Sequence, residues 1–291
     1  MNTKYLQAFI KHIEDDGYSQ ETVISYEKVI NQFTNYLYFI FKKDKDPIEI
    51  NPSDIKNYLN AQINNGKNIS TVNKELAILR TFFNYLWEKD IVKIDPTVKI
   101  KHLVQENRIN VEITYDEIVN IRNKVLMNND YSPMRKSIYL LATKGLKTSD
   151  YRFKKSDVTI LDNKNPNQVE IRLKHRSLLL DGVESDCFLD YYFKSIFYDS
   201  DYVFTTKNKK SGERGPVQVM TLLNHLRAIS NDYFPTHAKP LTLISIRKAL
   251  AYNLYTKEKK SIQYIANLLG IEESSASNYL KKLSGGSETN I

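Results

Sequence analysis

The stretch from Leu241 to Leu283 reads LTLISIRKALAYNLYTKEKKSIQYIANLLGIEESSASNYLKKL and holds three apolar patterns at helical spacing. Arg247 stands at the start of the first. Leu268-Leu269-Gly270 closes the second, where glycine is a natural stop. Tyr279 lies inside the third, nine residues beyond Gly270.

The chain has 291 residues, room for two domains of ordinary size. Its 41% hydrophobic and 26% charged content suits a water-soluble globular protein. No apolar run approaches the roughly 20 residues that span a bilayer, and the first residues carry acids where a signal peptide would be apolar. A lone Cys187 excludes an internal disulfide. The histidines His12, His102, His175, His225 and His237 never fall at ligand spacing. We expect a cytoplasmic protein without metal or cofactor. The net charge of +8 is uneven: residues 1–110 hold 15 basic and 14 acidic side chains, residues 111–291 hold 27 and 20. A basic second half suits a polyanionic partner.

Residues 1–41 read as two helices, with a stop at Gly17 and an N-cap at Ser19. Asn51-Pro52 starts a third, which runs to the turn signal Asn65-Gly66. Ser70 or Thr71 caps a fourth. Val72, Leu76, Leu79, Phe83 and Leu86 form its buried stripe, and Asn73, Ala77, Arg80 and Asn84 its opposite face. We expect a helical domain over residues 1–102, a linker over 103–112, a second domain over 113–283 and a flexible tail over 284–291.

The second domain opens on a capping box, Thr114 to Glu117. Helices follow through Ile121 and through Ile138 to Ala142. Val158 to Leu161, Gln168 to Lys174 and Ser177 to Leu180 read as short strands, turning at Asn163–Asn167 and at His175-Arg176. Phe188 to Phe197 and Val219 to Ile229 are helical. Lys207 to Arg214, with Lys209 and Lys210, reads as a basic surface loop. The fold class is mainly α, with two domains and one small antiparallel sheet.

These motifs, in this order, resemble the tyrosine recombinases, or phage integrases. The core-binding pattern of that family is matched by Gly17-Tyr18-Ser19-Gln20-Glu21-Thr22, by Gly66 to Asn73, by Arg80 to Leu86 and by Asp95-Pro96. Thr143 to Asp150 resembles the box that carries the first catalytic arginine, with Lys147 in the arginine's place. Arg247, Gly270 and Tyr279 match the C-terminal signature, whereas Ile244 and Ile271 stand where the family has histidines. The resemblance implies a hairpin lysine, for which Lys174 is the first candidate and Arg172 the second. It also implies that Lys67, Asn73, Lys74 and Arg80 face DNA in the first domain. In the second, Lys147, Arg172, Lys174, Arg176, Lys207, Lys209, Lys210, Arg214, Arg247 and Lys248 would do so.

In such a site a tyrosine attacks phosphorus, two arginine forks grip the non-bridging oxygens, and an acid protonates the leaving oxygen. Lys147 keeps a charge without the fork, and losing one donor costs roughly 10²–10³ in rate. Ile244 and Ile271 cannot move protons, which costs about 10²–10⁴. The expectation is therefore a sequence-specific binder of double-stranded DNA that is not an enzyme. It would be a repressor similar to those of SPβ-like prophages, with vestigial positions at Lys147, Lys174, Ile244, Arg247, Ile271 and Tyr279. Homo-oligomers on DNA and a small protein or peptide antagonist go with that reading. The alternatives are a working recombinase with Tyr279 as nucleophile, and an inactive partner subunit of one.

Overall fold

The computed structural model describes residues 3–104, 113–161, 168–235 and 239–284. The chain divides into two units, Met1–Glu106 and Asn107–Ile291, each with its own core.

The first unit holds α1 (Thr3–Asp15), α2 (Gln20–Phe41), α3 (Pro52–Asn64) and α4 (Ile69–Glu88). Gly17, at φ +79°, makes the turn between the first two, and Ser19 accepts the Thr22 N–H at the start of α2. Asn51 caps α3 with Pro52 in its first turn. The cap of α4 corrects the expectation of Ser70 or Thr71. Asn68 holds an extended backbone and accepts the Ser70 N–H at 3.0 Å, so the helix starts two or three residues earlier. Its buried face is also wider than one stripe, since Ile78, Phe82 and Tyr85 join the core. Phe9 meets Phe82 edge-on at 5.2 Å, and Phe33 meets Tyr58 in the same way. Each fully buried ring of this kind contributes about 1.5–3 kcal/mol.

The second unit is built around α6 (Pro133–Thr143), in which every residue from Ser137 to Thr143 is buried. A helix apolar all round must be enclosed. It packs against α5 (Tyr115–Met127), α7 (Gly182–Ile196), α8 (Val219–Tyr233) and α9 (Leu243–Thr256). Thr114 and Glu117 form the expected box at the start of α5. Strands β1 (Val158–Leu161), β2 (Gln168–Arg172) and β3 (Ser177–Asp181) pair antiparallel in that order. The β2–β3 turn is closed by the Leu173 N–H donating to the Arg176 carbonyl at 2.8 Å.

The expected basic loop is instead a hairpin. Its strands β4 (Thr205–Lys207) and β5 (Arg214–Pro216) pair antiparallel, with Asn208–Glu213 as the turn. The Asn208 N–H donates to Glu213 and the Gly212 N–H to Asn208, which satisfies the backbone that a free loop would leave to water.

The three helical patterns read from Leu241 to Leu283 are present. α9, α10 (Ile262–Leu269) and α11 (Glu273–Ser284) share a small apolar cluster of Leu250, Leu254, Ile265, Leu269, Ala276 and Leu280. Gly270, at φ +61°, is the left-handed cap between α10 and α11. The Asn163–Asn167 turn, His237, linker residues 105–112 and tail residues 285–291 lie outside the described residues.

Candidate nucleic-acid interface

On α4 only part of the expected DNA face is available. Lys74 is exposed. Lys67 Nζ is tied to Glu75 at 2.6 Å and donates to Gln32 at 3.3 Å. Glu75 is buried and also accepts the Tyr58 hydroxyl at 3.0 Å, so the lysine supplies the partner that a buried carboxylate needs. The adjacent carboxylate and burial push the Tyr58 hydroxyl far above its ordinary value, burial contributing most.

Asn73 is a second correction. Its amide donates to the Leu103 carbonyl and accepts the Leu103 N–H, both at 2.9 Å. Arg80 is a third. It donates to the Ile100 carbonyl and, at 2.7 Å, to His102 Nε2. Both side chains were expected on DNA, and both clasp the backbone that leaves the first unit. The physical reason is that Ile100 is buried, so the main-chain groups around it must find partners inside the protein.

In the second unit the expected cations converge on two helix ends. Arg247 sits on α9, which Thr242 and Ser245 cap reciprocally. It is only 2% exposed. Its Nη1 donates to the Gly145 carbonyl and its Nη2 to the Leu269 carbonyl at 2.9 Å. Arg176 Nη2 donates to the Lys144 carbonyl at 3.1 Å. Lys147 Nζ donates to the Gly270 carbonyl at 3.3 Å. Lys144 and Gly145 end α6, and Leu269 and Gly270 end α10. Three cations therefore sit against the negative ends of two helix dipoles, where unpaired carbonyls attract them.

This corrects the expected role of Arg247. Its guanidinium is enclosed and its two terminal nitrogens are spent on carbonyls. Asp150, the acidic residue of the same box, accepts the Lys147 backbone N–H at 3.0 Å. Gly145 has φ +82°, and a Cβ there would lie 2.9 Å from Leu269 Cδ2 and 3.0 Å from Leu250 Cδ2. Nothing in the motif marks this glycine apart from its neighbours. Its signal was its place just past an apolar helical run.

Lys147, Asp150, Arg152, Arg172, Lys174 and His175 line a cleft of about 580 Å³. Arg172 and Lys174 are exposed. Arg214 lies over the Tyr198 ring at 3.9 Å and donates to Thr205 Oγ1 at 3.3 Å, so it braces the second hairpin. Lys207, Lys209 and Lys210 are exposed on that hairpin. Ile244 is exposed, and Ile271 packs on the apolar cluster of α9–α11. Tyr279, on α11, is half-buried against the same cluster, with Lys248 Nζ 6.0 Å from its ring centre. Among the described residues no group of side chains could hold a metal ion, and no helix is long and apolar enough to cross a membrane.

Residues 6–89 match the phage integrase N-terminal SAM-like domain. Tyrosine recombinase XerC of Thermodesulfovibrio yellowstonii is 32% identical over 103 residues, covering 33% of this chain and 32% of the relative. Tyrosine recombinase XerD of Oceanobacillus iheyensis is 26% identical over 137 residues, covering 46% and 45%. The chain thus spans less than half the length of these two relatives. Among solved structures, a lambda integrase dimer bound to a COC′ core site superposes over 100% of this chain and 98% of that one, with a TM-score of 0.69 at 18% identity. The XerH recombinase in a post-cleavage complex with palindromic difH covers 89% of this chain and 75% of its own, at a TM-score of 0.65 and 14% identity.

These findings overturn the expectation of a non-enzyme, because the relatives are named recombinases and the solved neighbours are integrases and recombinases on DNA. An integrase-type domain over residues 6–89, tyrosine recombinase relatives over part of the chain, and a fold like that of lambda integrase together support a likeness to the tyrosine recombinases.

Proposed function

We propose that this protein binds a specific site on double-stranded DNA, as a repressor of phage or prophage genes in the cytoplasm does. The observation that carries the reading is the set of cations around one cleft of the second unit: Lys147, Arg172 and Lys174, with Arg176 on the same hairpin turn. Lys207, Lys209 and Lys210 on the second hairpin and Lys74 on α4 add exposed charge. Lysines and arginines that meet phosphates release counterions, so binding weakens steeply with salt. Copies of the chain assemble on the site in this proposal, and a small protein or peptide antagonist relieves the repression.

Strand transfer through Tyr279 is the second reading, favoured by the recombinase names of the relatives. Lys147 would then supply the charge of the arginine it replaces. The test selects a duplex from a random-sequence pool with the purified protein, then places a nick near the bound centre. Salt-dependent binding without a covalent adduct supports site occupancy. A 3′-phosphotyrosine adduct that Tyr279→Phe abolishes supports strand transfer.

A further inference from the structure

A groove in the first unit lies between the α2–α3 connection and the segment that follows α4. It encloses about 580 Å³. Pro47, Val92 and Pro96 are buried around it, while Ile48, Ile94 and Val98 stand at its mouth, 60%, 80% and 72% exposed. Single exposed aliphatic side chains are ordinary, but three around one concave site mark a surface that takes a partner. Both walls are fixed before anything binds. Asp46 and Glu49 cap the short helical turn Pro47–Glu49 reciprocally, and Asn51 caps α3 behind it. Opposite, Asp95 Oδ1 accepts the Thr97 N–H and the Thr97 hydroxyl, each at 2.7 Å, and the Ile100 N–H donates to the Thr97 carbonyl. Ile50, Val92 and Ile100 root the walls in the core of the unit. A preformed concave site lowers the ordering cost of binding.

The charges around the groove say what fills it. Lys93 and Lys99 are exposed in its lining, and among the described residues neither ammonium has a hydrogen-bond or ion-pair partner. Asp95, the single carboxylate of the lining, is taken up by Thr97. Glu49, beside Ile48 in the chain, pairs with Lys43 and accepts the Asp46 N–H. We propose that this groove is the docking site for an acidic peptide segment of a partner protein. Aliphatic side chains of that segment cover Ile48, Ile94 and Val98, and its carboxylates meet Lys93 and Lys99. The inference rests on the proposed function in one respect, since the antagonist named there is the partner that this surface fits. A second copy of the chain fits less well, because a two-fold contact would set Lys93 and Lys99 against their own copies. Duplex DNA also fits less well, because its backbone offers phosphates and no aliphatic chain to fill an apolar groove.

The test offers a displayed pool of short random-sequence peptides to the full chain, then measures the enriched ones as labelled synthetic peptides. Enriched sequences should combine acidic and aliphatic residues, and their binding should weaken with salt, as contacts between exposed charges do. Ile94→Asp should weaken the peptide by roughly tenfold or more and leave the melting temperature alone, because Ile94 already stands in water. If the melting temperature does fall, Val98→Asp takes its place and is judged in the same way. Lys93→Gln combined with Lys99→Gln should weaken the peptide and keep the wild-type salt slope of duplex binding. The proposal is overturned if no acidic, aliphatic sequence is enriched, or if the groove variant binds the enriched peptide as wild type does. It is also overturned if the double lysine variant keeps the peptide and loses salt slope on the duplex, which would assign both lysines to phosphate. A peptide that binds wild type, fails on Ile94→Asp and leaves duplex binding unchanged supports the docking site and sinks the antagonist part of the proposed function.

Discussion

The Nη2 of Arg247 donates to the carbonyl of Leu269 at 2.9 Å, joining the start of α9 to the last turn of α10. With Nη1 on Gly145, one buried side chain fastens two helix C-termini to a third helix. A charge-assisted bond of this kind contributes about 1.5–3 kcal/mol, and a buried carbonyl left bare costs about 1–3 kcal/mol. Arg247→Met should therefore lower unfolding stability by about 3 kcal/mol or more in urea titrations. Wild-type stability with loss of DNA binding would return Arg247 to a direct role on phosphate.

Gly145→Ala should be worse than Gly66→Ala. Both glycines have φ near +80°, where a side chain costs about 1–2 kcal/mol. Around Gly66 the space is open, whereas at Gly145 two leucine methyls lie within 3.0 Å of the added carbon. Thermal melts of the two variants should differ by several degrees. Equal melting temperatures would show that Leu250 and Leu269 give way freely.

His225 introduces a pH dependence. Its pKa is lowered by burial and then by Arg135, which faces it at 3.5 Å. A lowered folded value means that the unfolded chain binds the proton first. Stability is full above about pH 6.5 and falls as pH drops below that ordinary histidine value. His225→Gln should flatten the melting temperature between pH 7.5 and 5. An unchanged slope would place the dependence elsewhere.

Asn73→Ala should loosen the segment it holds. Two hydrogen bonds to Leu103 disappear together, about 1–2 kcal/mol in all. Trypsin should cut after the exposed Lys101 several times faster in the variant. DNA sequence preference should follow Lys74→Ala and not Asn73→Ala. A changed preference in Asn73→Ala with unchanged cleavage would restore Asn73 as a base reader.

Much of the helical frame was legible because local chemistry writes it down. Ser19, Asn51-Pro52 and Thr114-Glu117 are caps whose side chains bond the next turn, whatever the rest of the fold does. The α4 cap was misread because Asn68, Ser70 and Thr71 are all competent, and only the backbone conformation chooses among them. The basic stretch 207–214 looked like a loop because its strands are three residues each, too short for alternation to show. The destinations of Asn73, Arg80 and Arg247 were hidden for another reason. Their partners are main-chain carbonyls and amides, and every residue carries those, so no residue type in the sequence marks them.

The Asn73 clasp recognises only main chain at position 103, so its two bonds are blind to the side chain that Leu103 happens to carry. Over evolutionary time position 103 can drift among many residue types as far as this contact is concerned, although proline, which lacks the N–H, is barred. Position 73 has no such freedom, because among the neutral side chains only an amide offers a donor and an acceptor side by side. Glutamine has both but sets them one methylene further out. Related chains that keep the clasp should hold Asn at 73 and vary at 103, an asymmetry that a direct base-reading role would not produce.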